Sequence, residues 1–242
     1  MLSLEHVAWD LPEGGTIIKD INLTLEDQKL IVVTGPNGGG KTSLAKLIAG
    51  VEPLTAGKLI FDGEDITNLN ITERAQRGIA YAFQQPVRFK GLMVRDLLSL
   101  SAGHALEEEE ICELLGKVGL CANEYVDREL NASLSGGEIK RIEIASVLAR
   151  NAKLSLFDEP EAGIDLWSFT RLVETFQNLR KESKGTLLII SHQERILSIA
   201  DEIVVIDDGM VREQGARDEI LPKLLGEEKA DMCPLGKEAT AL

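Results

Sequence analysis

Gly35-Pro36-Asn37-Gly38-Gly39-Gly40-Lys41-Thr42 satisfies the pattern G-x-x-x-x-G-K-[ST], a loop that wraps the phosphates of a nucleotide. Leu30-Ile31-Val32-Val33 before it reads as a buried strand, and Thr42 to Ala49 after it as a helix closed by Gly50. Glycines let successive backbone N–H groups point into one concavity, a nest for anionic oxygens. The helix N-terminus brings its partial positive charge to the same place. The expected phosphate-binding set runs through Gly35, Pro36, Asn37, Gly38, Gly39, Gly40, Lys41, Thr42 and Ser43. Lys41 is placed to reach the β- and γ-phosphates, and the Thr42 hydroxyl to ligate Mg²⁺.

Outward from this loop, short apolar runs alternate with helical patterns, which argues a largely parallel α/β core. Its strands are expected at 31–33, 154–157, 187–191 and 203–206. Segments 2–9, 21–25 and 58–62 look like a smaller antiparallel sheet. Residues 86 to about 140 read as a helical insertion, with Ile111, Leu114, Leu115 and Val118 spaced along one helix face. The expected organisation is one domain over 1–225 and a tail over 226–242 without periodicity.

The 242 residues carry a net charge of −14, so a nucleic-acid partner has no global electrostatic support. Segment 101–130 holds eight acidic residues against Lys117 and Arg128. Its run Glu107–Glu110 reads as a solvated helix start, with a docking surface for a basic partner as the alternative. No apolar run reaches 18 residues, so no direct membrane insertion is expected. Met1-Leu2-Ser3-Leu4-Glu5 lacks the pattern of a signal peptide, and three cysteines form no even framework; a cytoplasmic location is expected. Cys112 and Cys121 neighbour apolar helix positions and are expected in the core; Cys233 lies in the tail.

A second phosphate-facing helix end is expected at Ser135-Gly136-Gly137, although Ser is equally an ordinary N-cap. Leu154-Ser155-Leu156-Phe157 is an apolar strand ending in Asp158 and Glu159. Asp158 suits a water-mediated hold on Mg²⁺, and Glu159 suits deprotonation of a water attacking a γ-phosphate. A further strand ends at Ser191-His192, whose imidazole offers a γ-phosphate donor.

The order of these four motifs resembles the ATP-binding cassette (ABC) ATPases over most of residues 1–225. The resemblance implies a P-loop fold with a mostly parallel core sheet, a small antiparallel β subdomain and a helical insertion. It implies ATP and Mg²⁺ as ligands, and catalysis by Glu159, His192 and Gln84. Gln84 would also touch the metal, with the adjacent Gln85 as the alternative. Asp165 in Ala162-Gly163-Ile164-Asp165 would cross to a second copy of the chain. That copy's Ser135-Gly136-Gly137 would complete each ATP site. The family's adenine-stacking position falls at Leu11, with Trp9 two residues earlier; Trp9 either stacks or packs in the small sheet. Gly39 stands where many relatives have Ser.

Ser135-Gly136-Gly137-Glu138-Ile139-Lys140-Arg141-Ile142-Glu143 is similar to the signature of SufC-type ATPases of iron–sulfur cluster assembly. Asp158-Glu159-Pro160-Glu161 is closer to general cassettes. The SufC resemblance implies a soluble SufB-like scaffold docking at Pro86, Val87, Arg88, Phe89 and Leu92; the alternative partner is a transmembrane permease.

Overall fold

The computed structural model describes residues 1–85, 88–131, 133–182 and 185–231, with side chains to 226. Pro86, Val87 and Cys233, and the expected tail beyond 231, lie outside the described residues.

The chain opens with β1 (Leu2–Asp10) and β2 (Thr16–Leu25), then runs through β3 (Leu30–Thr34) and the glycine loop into α1 (Lys41–Ala49). β4 (Ala56–Phe61), β5 (Glu64–Asp65) and α2 (Ile71–Gln76) lead to β6 (Ile79–Ala82). The helical part follows: α3 (Val94–Ala102), α4 (Glu108–Lys117), α5 (Ala122–Tyr125) and α6 (Gly136–Ala149). β7 (Leu154–Asp158), α7 (Leu166–Glu182), β8 (Thr186–Ile190) and α8 (Glu194–Leu197) return the chain to the sheet. β9 (Glu202–Asp207), β10 (Met210–Ala216) and α9 (Arg217–Asp231) complete it.

The strands form one mixed ten-stranded sheet in the order β5-β4-β1-β2-β10-β9-β3-β8-β7-β6. β9, β3, β8, β7 and β6 are mutually parallel, whereas β1, β2, β4 and β5 pair antiparallel. β10 joins the two parts, antiparallel to β9 and paired in parallel with β2 at Met210 opposite Asp20. This is the fold expected from the sequence, with β6 and β10 added to its core.

Successive residues of a strand point to opposite faces, and both faces of the parallel region are covered. Leu30 and Val32 join the core under α6 and α7; Ile31 and Val33 join a second core with α1 and the small sheet. β8 divides in the same way, Leu187 and Ile189 against Leu188 and Ile190. This two-sided burial explains why the core strands read as unbroken apolar runs.

α1 is anchored at its far end by Arg74, only 1% exposed, which donates to the carbonyls of Leu47 and of Ile48 at 3.0 Å. A cation on the last carbonyls complements the helix dipole and fixes the axis that the glycine loop feeds.

One expectation is corrected. Cys112 and Cys121 are exposed: Cys112 follows Ile111 on α4 and so turns off the buried stripe, and Cys121 sits at the start of α5. α9 continues to Asp231, past the expected tail boundary. Trp9 packs in the core of the small sheet opposite Ile18, so of its two readings the structure takes packing. The Glu107–Glu110 run lies exposed at the start of α4, with the Glu107 N–H donating to Glu110 at 2.9 Å.

Candidate functional site

Ile17, Asn37, Gly38, Gly40, Lys41, Thr42, Ser43, Gln84 and Glu159 line one cleft at the ends of the parallel strands. Parallel α/β sheets place ligands outside the C-terminal ends of their strands, and β3 and β7 deliver the loop and the acids there.

The loop is held from behind by the turn between β9 and β10. Gly209 donates its N–H to the Gly39 carbonyl at 3.1 Å, and Lys19 donates to the Gly209 carbonyl at 3.0 Å. Gly35 has φ of 133°, and an added Cβ would lie 2.0 Å from the Ile206 carbonyl oxygen. No side chain fits there. A Cβ at Gly39 would lie 2.9 Å from the same oxygen, so a serine at that position requires the carbonyl to move.

Lys41 is buried, and its Nζ donates to the Gly35 and Pro36 carbonyls, each at 2.8 Å. Burial lowers its pKa, opposed by the nearby charges of Glu159 and Asp158. The Thr42 hydroxyl donates to Asp158 Oδ1 at 3.1 Å, and the Tyr81 hydroxyl to Asp158 Oδ2 at 3.1 Å. Asp158 is fully buried, and desolvation raises its pKa against those two bonds. Gln84 Nε2 donates to Glu159 Oε2 at 2.7 Å. Glu159 has φ of 46°, a conformation uncommon for a non-glycine residue and one that recurs at functional sites.

The Thr42 hydroxyl and the Asp158 carboxylate are hard oxygen donors of the kind Mg²⁺ takes. Among the described residues no group of three or more His, Cys, Asp or Glu side chains could hold a metal alone. A protein offering one hydroxyl and one carboxylate fits an ion that draws its other ligands from phosphates and water.

The other expected residues lie apart. His192 is exposed after β8, with its Nε2 3.3 Å from Gln193 Nε2, and does not line the cleft. Ser135, Gly136 and Asp165 are exposed, and Gly137 is half-buried at the start of α6. Ser135 caps α6, its hydroxyl accepting from the Glu138 N–H at 3.2 Å while Glu138 accepts from the Ser135 N–H at 2.7 Å. The Tyr125 hydroxyl also donates to Glu138 and contributes most to holding that carboxyl at about 2. Asp165 caps α7, accepting from the N–H groups of Trp167 and Ser168, each at 3.0 Å.

Sequence reasoning missed Tyr81, Lys140, Glu143 and Glu161. Lys140, 1% exposed on α6, donates to the Phe83 carbonyl at 2.6 Å and the Gln84 carbonyl at 3.0 Å. Glu143 accepts from the Phe83 N–H at 3.0 Å. Glu161 accepts from the Ser191 hydroxyl, and burial raises its pKa. The available signal was polar residues three apart, Lys140 and Glu143, inside the apolar pattern of α6.

The ABC transporter family matches residues 18–162. An uncharacterized ABC transporter ATP-binding protein of Methanocaldococcus jannaschii is 40% identical over 225 residues, 90% of this chain and 88% of that protein. The lipopolysaccharide export system ATP-binding protein LptB of Escherichia coli K12 is 33% identical over 217 residues, 86% of this chain and 88% of LptB. The dimeric ATP-binding cassette MJ0796, bound to ADP and Pi, superposes with a TM-score of 0.79 at 22% identity, over 90% of this chain and 99% of that one. A nucleotide-free cassette from an ABC transporter gives 0.79 at 25% identity, over 95% and 96%. No helix among the described residues is long and apolar enough to cross a membrane.

Proposed function

From the premise that this chain belongs to the ABC transporter family and is an ABC ATPase, we propose that it is the ATP-binding subunit of a membrane transporter. It works at the cytoplasmic face beside a membrane-spanning permease, as a pair of copies that closes on ATP. The observation that carries this reading is the convergence of Lys41, Thr42, Asp158, Gln84 and Glu159 on one cleft, with Ser135-Gly136-Gly137 set apart. A site with one half so complete and the other turned outward calls for a second copy.

In this mechanism the backbone N–H groups between Asn37 and Ser43 and the Lys41 ammonium bind the phosphates of ATP. Thr42 and Asp158 would hold Mg²⁺, which when bound would neutralise charge on the phosphate oxygens. Gln84 orients water and Glu159 takes its proton at a carboxylate oxygen. Ser135, Gly136 and Gly137 of the second copy donate to the γ-phosphate from their helix N-terminus, while Asp165 crosses between copies. His192 is carried toward the γ-phosphate as the copies close. Ile17, which lines the cleft, offers the apolar wall against which the base rests.

The SufC-type expectation, with a SufB-like scaffold, rests on three short stretches of a few residues each: Ser135–Glu143, Ala82–Pro86 and His192–Leu197. The longer similarities are to proteins named as ATP-binding subunits of transporters, and they favour the permease instead. The chain's Glu159-Pro160 step fits the same side.

Two experiments test the proposal. Glu159→Gln lowers turnover about 10²–10⁴-fold, as loss of a general base does, and retains an ATP-bound dimer on size exclusion; unchanged steady-state hydrolysis removes Glu159 from the role. Affinity purification from a native lysate recovers a multi-span permease, and only with detergent. Stoichiometric recovery of a soluble scaffold without detergent overturns the transporter assignment.

A further inference from the structure

We propose that Lys140 and Glu143 are positioning residues for hydrolysis, a buried clamp by which α6 sets where Gln84 meets Glu159. The inference rests on the reading of Gln84 and Glu159 given above. Two side chains less than one turn apart on α6 hold three backbone groups of the 83–84 segment. Lys140 takes the Phe83 and Gln84 carbonyls, and Glu143 takes the Phe83 N–H. The two charges lie 3.8 Å apart, so each is also the other's counterion.

The geometry links elements that the sequence keeps far apart. α6 starts at Ser135-Gly136-Gly137, the end that would face a second copy's nucleotide. Gln84 donates to Glu159 at the opposite side of the clamp. A shift of α6 therefore moves the Gln84 backbone with it, because buried bonds to carbonyls do not exchange with water. Stability alone does not call for such a pair. Burying a lysine and a glutamate costs desolvation, and apolar residues of similar volume commonly pack as well. Burial indeed pushes the Lys140 pKa down and the Glu143 pKa up, so both charged forms are held against a cost.

A second observation shows where the clamp can be reached. Glu143 Oε2 is buried and has no hydrogen-bond partner. Glu143, Phe83, Phe89, Leu97 and Ile142 all line one largely apolar cavity of about 330 Å³ between α2, β6, α3 and α6.

The test is steady-state ATP hydrolysis by the full chain carrying Lys140→Met, Glu143→Gln or both, with Lys140→Arg as the conservative control. kcat falls about tenfold for Lys140→Met while KM for ATP stays within about twofold, since the binding loop is untouched and a small misplacement of a positioned group is costly. The double variant is no slower than Lys140→Met, because the two residues act as one unit. Lys140→Arg restores most of the rate. If Lys140→Met fails to fold, Lys140→Gln is read by the same split. A lower melting temperature with kcat unchanged makes the pair structural only, and multiplicative losses in the double variant make it two independent contacts; either overturns the clamp. Glu159→Gln assayed alongside separates the premises. Undiminished hydrolysis there removes the cleft reading, whereas a slow Glu159→Gln beside a fast Lys140→Met removes the clamp alone.

Discussion

Two helices in this molecule begin with glycines, and their N-termini are finished in opposite ways. α1 starts from Gly40 in a left-handed conformation, with no side-chain cap and with Lys41 folded back onto its own loop. α6 starts from Ser135, capped reciprocally with Glu138 and exposed to solvent. An uncapped, enclosed helix end keeps its N–H groups and its field for an anion. A capped, exposed end has two donors already satisfied and carries a carboxylate on its first turn. The difference teaches that the two halves of the site are not equivalent in one chain. The first is a finished binding surface. On the proposed function, the second would have to give up part of its cap to bind.

That contrast can be broken most sharply at Lys41. Lys41→Ala removes charge-assisted hydrogen bonds worth about 1.5–3 kcal/mol each, so ATP affinity of the isolated chain falls ~10²-fold by calorimetry. Wild-type affinity would make the two ends equivalent after all. Ser135→Ala sharpens the other side. It costs about 1 kcal/mol of stability through loss of the cap, leaves nucleotide affinity of the monomer within about twofold, and slows turnover of the dimer. An equal loss of monomer affinity would place Ser135 in the same half as Lys41.

The smallest effect concerns Glu161, a buried carboxylate beside the finished half. Its Oε2 has no hydrogen-bond partner, and burial raises its pKa above the ordinary 4.5. The folded state thus holds this proton more tightly than the unfolded one, so the associated stability is full below the ordinary value and is lost as pH rises through the raised one. Glu161→Gln keeps an oxygen for Ser191 and removes the ionisation. Melting temperature rises by about 2–4 °C near neutral pH, equivalent to roughly 1 kcal/mol, and the gain vanishes below pH ~4. A gain independent of pH would show that desolvated charge is not its cause.

Much of this was legible in the sequence because it is local. The glycine loop carries its own backbone requirements, and strands buried on both faces announce themselves as apolar runs, as at Leu30–Val33 and Leu187–Ile190. β10 escaped notice because its burial is only partial and Val211-Arg212-Glu213-Gln214 looks like a solvated loop; its strand character comes from pairing with β9. The contact of Gln84 with Glu159 joins residues 75 apart in sequence; the family resemblance assigned both to one reaction but not to each other. Lys140 carried no such cue. A lysine amid isoleucines on a helix is usually read as the polar face, and only the path of the 83–84 backbone beneath α6 makes it a buried donor. The misplaced cysteines show the opposite failure, a rule about residue type applied where helical phase decides.

The β9–β10 turn has a consequence for time rather than for structure. Gly209 bridges the glycine loop to β2 through hydrogen bonds on both sides, so the loop's shape belongs to the protein and is not drawn from the ligand. Capture then needs no segment to fold around the incoming phosphates, and the entropy of ordering that loop is absent from the binding free energy. On the proposed function, arrival is then set by diffusion and charge, and the tempo of the cycle passes to the steps that follow: the meeting of two copies and the departure of product.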